Sequence, residues 1–227
     1  MLLSVIIPVY NEAGTIRDIL EKVVAAPYEK ELLVVDDASD DGTRGILREM
    51  EGKDGIRLLV QDRRRGKGAA LRRALPKTRG DWVIFQDADL EYPPRNYSVL
   101  LEPLLEHGAD AVYGSRFLGS HRVFLFWHYA ANRFLTLVTN VLFDTNLTDM
   151  ETGAKAFRGD VIRTLRLRAE AFDIEPEVTA RLFQRGYRVF EVPILYRGRG
   201  YCEGKKVGWR DGVAALWRLL YCRLTRP

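Results

Sequence analysis

Short apolar runs alternate with amphipathic stretches along the first half of the chain. The runs have the length of buried strands, whereas the stretches between them repeat apolar positions every three to four residues, which is typical of helices. The pattern predicts strands over Val5–Val9, Leu32–Val35, Ile56–Val60, Trp82–Phe85 and Ala109–Tyr113, and helices over Thr15–Val24, Thr43–Met50, Ala69–Leu75 and Tyr97–Leu105. Because strands separated by helices favour right-handed crossovers, we expect an α/β fold with a mostly parallel sheet covered by helices on both faces.

Polar residues stand at the carboxyl end of each predicted strand. In an open parallel sheet, ligands bind beyond these ends, so such residues are expected to meet in one crevice. They are Pro8, Tyr10, Asn11 and Glu12 for the first strand, Asp36 and Asp37 for the second, Gln61, Asp62 and the loop 63–68 for the third, the stretch 86–91 for the fourth, and Gly114, Ser115 and Arg116 for the fifth. A nucleotide fits this crevice, since carboxylates such as Asp37 accept hydrogen bonds from base or ribose donors.

The fourth strand leads into an acidic stretch. Asp87 and Asp89 are two residues apart, and Glu91 follows two residues later. In a loop these three carboxylates can converge on a hard divalent cation such as Mg²⁺ or Mn²⁺, which would also hold a diphosphate. A solvated acidic turn is the alternative, because Asp and Pro are common in turns and Tyr92–Pro94 comes next.

A basic loop precedes the third predicted helix. Gly66, Lys67 and Gly68 are not followed by Ser or Thr, which excludes a P-loop, and the residues after them also break the G-x-G-x-x-G pattern. The loop nevertheless opens a helix, where backbone N–H groups favour an anion. A solvated basic turn is the alternative.

Composition narrows the class of protein. With 227 residues, of which 47% are hydrophobic and 29% charged, the chain is expected to fold as a globular domain rather than remain disordered. Its two cysteines and three histidines lack the spacing of a zinc site or a disulfide framework. The first residues lack the charged and long apolar regions of a signal peptide, so we expect a cytoplasmic protein.

The segment Phe124–Phe143 is the longest apolar stretch. As a helix it would reach about 30 Å, yet polar residues recur every four positions in it, which predicts a polar stripe along one side. The stripe consists of His128, Asn132, Thr136 and Asn140. We favour a helix that lies in the plane of a membrane surface, with its polar side toward the crevice; a core helix of a soluble enzyme is the alternative. Arg133, beside the stripe, has the planar fork of donors that suits a phosphate.

The C-terminal segment is basic and amphipathic. Eight basic and two acidic residues lie between Arg197 and Pro227, a local charge of +6 in a chain whose net charge is +4. This indicates an acidic partner such as phosphate, anionic lipid or nucleic acid. One helical face carries Trp209, Val213, Leu216, Trp217, Leu220 and Leu224. Tryptophan and arginine on such a helix favour a membrane interface, whereas a nucleic-acid binder would leave the carboxylates without a purpose.

Four segments in this order resemble those of family-2 glycosyltransferases with the GT-A fold, a Rossmann-like α/β arrangement. They are Val5–Glu12, Val34–Thr43, Gly66–Leu71 and Gln86–Pro94. The ending Tyr92–Pro94 is similar to the dolichyl-phosphate (polyprenyl-phosphate) mannose and glucose synthases. The resemblance implies that Pro8, Tyr10, Glu12, Asp37, Lys67, Asp87, Ala88 and Asp89 border a nucleotide sugar. It also implies that Asp87, Asp89 and Glu91 bind Mg²⁺ or Mn²⁺, although some mannose synthases have Gln where this chain has Glu91.

The second half extends the resemblance. Gly114–Phe117 is similar to a family motif whose arginine contacts phosphates, and Thr148–Gly153 is similar to the segment that closes the active site opposite the metal. The segment 172–177 matches the start of a following helix. The loop 199–206 resembles a mobile loop whose arginine and lysine, here Arg199 and Lys205, close over the diphosphate.

The resemblance implies inverting transfer of a hexose from GDP-mannose or UDP-glucose to a polyprenyl or dolichyl phosphate. Asp89, Arg116 and Asp149 are then the expected catalytic residues: Arg116 with Arg133 brings up the acceptor phosphate, and Asp149 orients the acceptor or stabilises oxocarbenium charge. A lipid phosphate is already ionised near neutral pH, so it needs no general base, unlike a sugar hydroxyl. A family-2 transferase with a carbohydrate hydroxyl acceptor is the alternative.

These inferences divide the chain into a catalytic domain over 1–206, with an interfacial helix at 123–143, and a basic amphipathic helix over 207–227. The enzyme is expected to bind the cytoplasmic face of a membrane peripherally, alone or through an anchoring partner protein. A nucleotidylyltransferase is disfavoured, because its glycine-rich basic loop would directly follow the first strand.

Overall fold

The computed structural model describes residues 1–119, 125–198 and 208–225. In chain order its elements are β1 (Leu3–Val9), α1 (Ile16–Val24), β2 (Lys30–Asp36), α2 (Thr43–Met50), β3 (Ile56–Val60), α3 (Lys67–Ala74), β4 (Trp82–Phe85), α4 (Tyr97–Glu106), β5 (Ala111–Ser115), α5 (Phe126–Phe143), β6 (Lys155–Arg158), α6 (Gly159–Thr164), α7 (Ile174–Gln184), β7 (Val189–Pro193) and α8 (Trp209–Leu224). Short 3₁₀ helices cover Leu75–Lys77 and Pro94–Asn96.

One mixed sheet runs through the described residues. Its seven strands have the order β3-β2-β1-β4-β6-β5-β7. β6 is antiparallel to both β4 and β5, whereas the other neighbouring pairs are parallel. The predicted mostly parallel α/β sheet is therefore confirmed, and the five strands and four helices predicted from periodicity are all present with shifts of a few residues at most.

The sequence pattern does not predict β6 as a strand. Its four residues, Lys155–Arg158, begin and end with a charge and so lack an apolar run. Its register pairs Phe85 at the end of β4 with Lys155. The insertion of β6 between β4 and β5 therefore brings a lysine beside the strand that leads into the acidic stretch.

Side chains alternate between two cores on the two faces of the sheet. Along β1, Ile6 lies in one core, whereas Val5 and Ile7 lie in the other, as the two-residue period of a strand requires. The core that contains Ile6 also receives Leu135 of α5 and Leu219 of α8. These two helices are thereby anchored on one face of the sheet.

α5 and α8 pack against each other and expose apolar side chains on their outer sides. On α5 the predicted polar stripe faces the protein: Thr136 is buried, and Asn140 bonds to the backbone of Leu147. The exposed apolar side chains are Leu125, Phe126, Trp127, Tyr129, Phe134, Leu137 and Val141 at and along α5, and Trp209, Val213, Trp217, Leu220 and Leu224 on α8. We call them the outer apolar surface. This exposure distinguishes α5 from a helix that is buried on all sides, and a position of α5 at a membrane surface stays a prediction. Residues 123 and 124 of the predicted helix lie outside the described chain.

The part of the chain that the structure describes contains no helix with the length and apolar character needed to cross a membrane.

Candidate active site

A cavity of about 930 Å³ lies beyond the carboxyl ends of β1 to β5. Its lining includes most of the residues predicted from the sequence: Pro8, Tyr10, Glu12, Asp37, Lys67, Asp87, Ala88, Asp89, Glu91 and Arg116. The expectation that the strand ends meet in one crevice is therefore met. Arg133 and Asp149 are not part of the lining, and Arg199 and Lys205 lie outside the described residues.

Asp37 fixes the basic loop at the edge of the cavity. Its Oδ1 accepts hydrogen bonds from the backbone N–H of Arg65 (2.7 Å) and from Gln61 Nε2 (2.8 Å), and its Oδ2 accepts one from the N–H of Gly66 (2.7 Å). A carboxylate offers about four acceptor positions. Asp37 therefore keeps about one acceptor position for a hydrogen bond from a base or ribose.

Glycine is required where this loop meets the segment before α7. Gly66 has a left-handed φ of 102°, and a Cβ at either Gly66 or Gly68 would overlap the carbonyl oxygen of Glu170 or Ala169, respectively. The close approach directs the N-terminus of α3, with Lys67, into the cavity.

The acidic stretch is held in a tight turn. Leu90 has φ 64°, and the Asp89 Oδ1 accepts a hydrogen bond from the N–H of Glu91 at 3.1 Å. Glu91 Oε2 in turn accepts a hydrogen bond from the hydroxyl of Tyr196 at 2.8 Å. The turn therefore directs Glu91 toward the segment after β7.

The predicted three-carboxylate metal site is not assembled. Over residues 1–119, 125–198 and 208–225, no group of three or more His, Cys, Asp or Glu side chains is placed to hold an ion. Asp87, Asp89 and Glu91 all line the cavity, and the Oε2 of Glu91 accepts a hydrogen bond from Tyr196. Two carboxylates are still a suitable set for Mg²⁺, which takes further oxygen ligands from substrate phosphates.

Asp87 is paired with a lysine. Lys67 Nζ lies 2.7 Å from Asp87 Oδ1 and 3.0 Å from Glu175 Oε1. Burial alone would lower the pKa of Lys67, but the two carboxylates outweigh it and hold the pKa above its ordinary range. On the other side of Asp87, a Cβ at Gly153 would overlap Oδ2. The Oδ2 atom of Asp87 thus occupies space that a side chain at residue 153 would fill, and its Oδ1 atom is paired with the positive charge of Lys67.

A second buried lysine, Lys155, binds the other oxygen of Glu175. Lys155 is 0% exposed, and its Nζ lies 2.5 Å from Glu175 Oε2. It also donates hydrogen bonds to the carbonyl oxygens of Met150 and Thr152. Burial would raise the pKa of Glu175, but the two lysines reverse this and lower it. Lys155 and Glu175 are site residues that the sequence pattern shows only as parts of longer segments, without a role.

Arg116 is clamped by Asp149. The Nε and Nη2 atoms of Arg116 donate to the two carboxylate oxygens at 2.7 and 2.6 Å, and its backbone N–H donates at 2.9 Å. Asp149 is fully buried, and both of its oxygens face Arg116. The geometry therefore gives Asp149 a positioning role through Arg116. The predicted role of Asp149 in orienting the acceptor or stabilising oxocarbenium charge stays a prediction.

Arg133 lies on the outside of α5. It is exposed, and its Nη1 donates a hydrogen bond to the carbonyl oxygen of Thr148 at 3.3 Å. Its neighbour Asn132 lines the cavity and accepts a bond from Arg116 Nη2 at 3.3 Å. The role of Arg133 at an acceptor phosphate stays a prediction.

Glu151 is a further carboxyl on the cavity wall. Its Oε1 is buried and has no hydrogen-bond partner among the described residues. Burial raises the pKa of Glu151 to about 7, despite the nearby positive charges of Lys155 and Arg116. In the sequence, Glu151 is a single acidic residue within the segment Thr148–Gly153, and nothing there indicates its burial. A carboxyl with this pKa exchanges protons near neutral pH.

The part of the lining that α5 and α8 supply is rich in apolar side chains. It includes Trp127, Phe134 and Leu135, with Trp209, Val213 and Leu216, beside the polar side chains of His128, Asn132 and Asp211. Trp127, Phe134, Trp209 and Val213 also belong to the outer apolar surface. One cavity is therefore lined by charged side chains at the strand ends and by apolar side chains that reach the protein surface.

Three similar proteins are sugar transferases by name. An undecaprenyl-phosphate mannosyltransferase of Micrococcus luteus is 30% identical over 96% of this chain and 97% of that protein. An undecaprenyl-phosphate 4-deoxy-4-formamido-L-arabinose transferase of Edwardsiella ictaluri is 29% identical over 99% of this chain and 68% of that protein. A dolichol-phosphate mannosyltransferase of Pyrococcus furiosus is 28% identical over 91% of this chain but 61% of that protein.

Solved structures share the fold. A glucosyl-3-phosphoglycerate synthase of Mycobacterium tuberculosis matches with a TM-score of 0.75 and 22% identity, over 99% of this chain and 79% of that one. A mannosyl-3-phosphoglycerate synthase of Rubrobacter xylanophilus matches with a TM-score of 0.75 and 21% identity, over 100% and 77%. The sequence model described as Glycosyl transferase family 2 matches residues 4–166. The chain therefore belongs to glycosyl transferase family 2 and is a glycosyltransferase with the GT-A fold.

Proposed function

We propose that the enzyme transfers a hexose from a nucleoside diphosphate sugar to the phosphate of a polyprenyl or dolichyl carrier, with inversion at the anomeric carbon. The observation that carries this proposal is the cavity itself, because charged side chains at the strand ends and apolar side chains of α5 and α8 line the same space. A lipid phosphate combines an anionic head with a long hydrocarbon chain and so matches both parts. The names of the three similar proteins, which specify undecaprenyl phosphate or dolichol phosphate, support the same acceptor class.

The donor would bind at the ends of β1 to β4. Pro8, Tyr10 and Glu12 line one side of the cavity there, and the loop fixed by Asp37 lines the other. Asp87 and Asp89 would hold Mg²⁺ or Mn²⁺, whose chemistry when bound is to stabilise the charge of a departing diphosphate. The glucosyl-3-phosphoglycerate synthase with the same fold was crystallised with Mn²⁺ and UDP, which supports a divalent cation here.

The acceptor phosphate would bind at Arg116. Asp149 holds the guanidinium in one orientation, and arginine presents parallel N–H donors to phosphate oxygens. Because the phosphate is already ionised, no proton has to leave it during attack. The protein's task is then to hold two anionic groups in line, which depends on positioning and charge rather than on a general base.

We also propose that the outer apolar surface lies in a membrane interface on the cytoplasmic face. Two of its tryptophans, Trp127 and Trp209, are 79% and 77% exposed, and tryptophan is typical of such interfaces. Arg210 and Arg223 of α8 are exposed beside it and would meet anionic head groups. Binding to vesicles of pure lipid would show that no anchoring partner protein is needed.

A second candidate function uses a carbohydrate hydroxyl as acceptor. Glu151 favours it, because burial raises the pKa of this carboxyl to about 7, which suits a general base. In that mechanism Glu151 would take the hydroxyl proton as the oxygen attacks the anomeric carbon. The two functions therefore differ in what the loss of Glu151 does.

Labelled donors separate the two functions. The enzyme is incubated with Mn²⁺ and labelled GDP-mannose, UDP-glucose or UDP-N-acetylglucosamine, either with polyprenyl phosphate or with soluble oligosaccharides. We expect label in the lipid phase with one donor, and less than about a tenfold loss for Glu151→Gln. Label only in oligosaccharide, with a loss of about 10²–10⁴ for Glu151→Gln, would establish the hydroxyl acceptor instead.

A further inference from the structure

Lys67 already neutralises the carboxylate that would bind a cation, Asp87. Its Nζ is 2.7 Å from Asp87 Oδ1, and its side chain is 10% exposed. The pair therefore lies in a poorly hydrated place, where charge interactions are stronger than in water. An ammonium and a divalent cation repel each other there, so they cannot share this carboxylate at full strength.

A second carboxylate lies within reach of the same ammonium. Glu175 Oε1 is 3.0 Å from Lys67 Nζ, and Lys155 fixes Glu175 through its other oxygen. Lys155 is itself held by the carbonyl oxygens of Met150 and Thr152. Lys67 can consequently loosen its contact with Asp87 and still keep one ion pair, so the exchange does not leave a buried charge without a partner.

We propose that Lys67 is a tethered counter-ion that competes with the divalent cation for Asp87, and that it yields this carboxylate when the cation arrives with a diphosphate. A diphosphate supplies oxygen ligands for the cation and negative charge for the displaced ammonium. A free cation supplies neither. The enzyme would thereby select the cation–nucleotide complex over the free ion, by a coupling between the two ligands. This inference rests on the donor and cation of the proposed function but not on its acceptor.

Manganese binding tests the competition directly. Free Mn²⁺ is measured by electron paramagnetic resonance in titrations of the protein, without nucleotide and with saturating UDP or GDP. Lys67→Gln keeps hydrogen-bond donors toward Asp87 and Glu175 but removes the charge. We expect it to bind Mn²⁺ alone about tenfold more tightly than the unaltered protein, and the gain in affinity caused by nucleotide to shrink by a similar factor.

Two control variants separate competition from a general charge effect. Lys67→Arg keeps the charge at the same place and should bind Mn²⁺ as the unaltered protein does. Arg65→Gln removes a charge that also lines the cavity but has no ion pair with Asp87; its affinity for Mn²⁺ alone should change less than about twofold. An equal gain in Arg65→Gln and Lys67→Gln, or no gain in Lys67→Gln, would overturn the competition.

The test contains no acceptor, so it distinguishes this inference from the proposed function. Mn²⁺ binding that needs nucleotide but ignores Lys67 overturns the inference alone. No Mn²⁺ binding in any variant, even with nucleotide, overturns both the inference and the proposed cation. Circular dichroism and thermal melting accompany each variant, and Lys67→Met serves as the neutral variant if Lys67→Gln does not fold.

Discussion

Replacing Asp149 with Asn should uncouple Arg116 from the site and destabilise the fold. The side chains of Arg116 and Asp149 are 11% and 0% exposed, so the pair is shielded from water. Removing one partner of a buried ion pair leaves the other charge uncompensated, which costs about 3–5 kcal/mol. Asn keeps the size of Asp but replaces one acceptor oxygen with an NH₂ group that faces the guanidinium. We therefore expect the free energy of unfolding to fall by about 3 kcal/mol.

Urea unfolding of the single and double variants measures this pair. The set is Asp149→Asn, Arg116→Gln and both together. If the pair acts as a unit, the double variant is destabilised by less than the sum of the two, with a coupling of roughly 1–3 kcal/mol. In Asp149→Asn that remains folded, KM for the lipid phosphate should rise, because Arg116 loses its fixed orientation. A loss below about 1 kcal/mol together with an unchanged KM would refute the positioning role of Asp149.

Three further predictions concern other parts of the molecule. Trp217→Asp on the outer apolar surface should weaken sedimentation with anionic vesicles by at least about tenfold, whereas Leu105→Asp, 42% exposed on α4, should not; equal effects would exclude this surface as the contact. Lys155→Met should lower the free energy of unfolding in urea by about 3 kcal/mol, since Glu175 loses one of its two lysine partners and the carbonyl oxygens of Met150 and Thr152 lose a donor; a loss under about 1 kcal/mol would contradict that. Burial raises the pKa of Glu151 from 4.5 to about 7, so between these values the folded protein binds more protons than the unfolded chain and stability falls as pH rises. Relative to Glu151→Gln, the unaltered protein should therefore lose up to about 3 kcal/mol across this range, and parallel pH profiles would show that the carboxyl does not titrate there.

The first half of the fold could be predicted because its signals are local. Each of its parallel strands is a mostly apolar run such as Trp82–Phe85, and polar residues follow each run directly. The residues at the edge of the cavity can therefore be predicted from their position after each run. The turn at Leu90 was not predictable in the same way. The left-handed φ of Leu90 has no local signal in the sequence, and the hydrogen bond from Tyr196 to Glu91 joins residues that are 105 positions apart in the chain.

The site residues of the second half could not be predicted from the sequence, because a charged residue is expected at the surface and these are buried. Lys155 in a four-residue strand reads as a surface residue, yet it is fully buried between β4 and β5. Glu175 reads as a favourable charge at a helix start, yet its partners are two lysines. Glu151 acquires its pKa from burial that no spacing reveals. The roles of Lys155 and Glu175 depend on the packing of β6 and α7 beside the strand ends, which the local sequence does not determine.

The product of the lipid reaction tests the central claim most directly. Purified enzyme, Mn²⁺ and the donor that transfers label are incubated with polyprenyl phosphate, and the extracted lipid is analysed by mass spectrometry. We predict a new species heavier than the carrier by one anhydrohexose, cleaved by mild acid to the free sugar and the original polyprenyl phosphate. Recovery of unmodified carrier under conditions in which the enzyme releases nucleoside diphosphate from the same donor would contradict a lipid-phosphate acceptor.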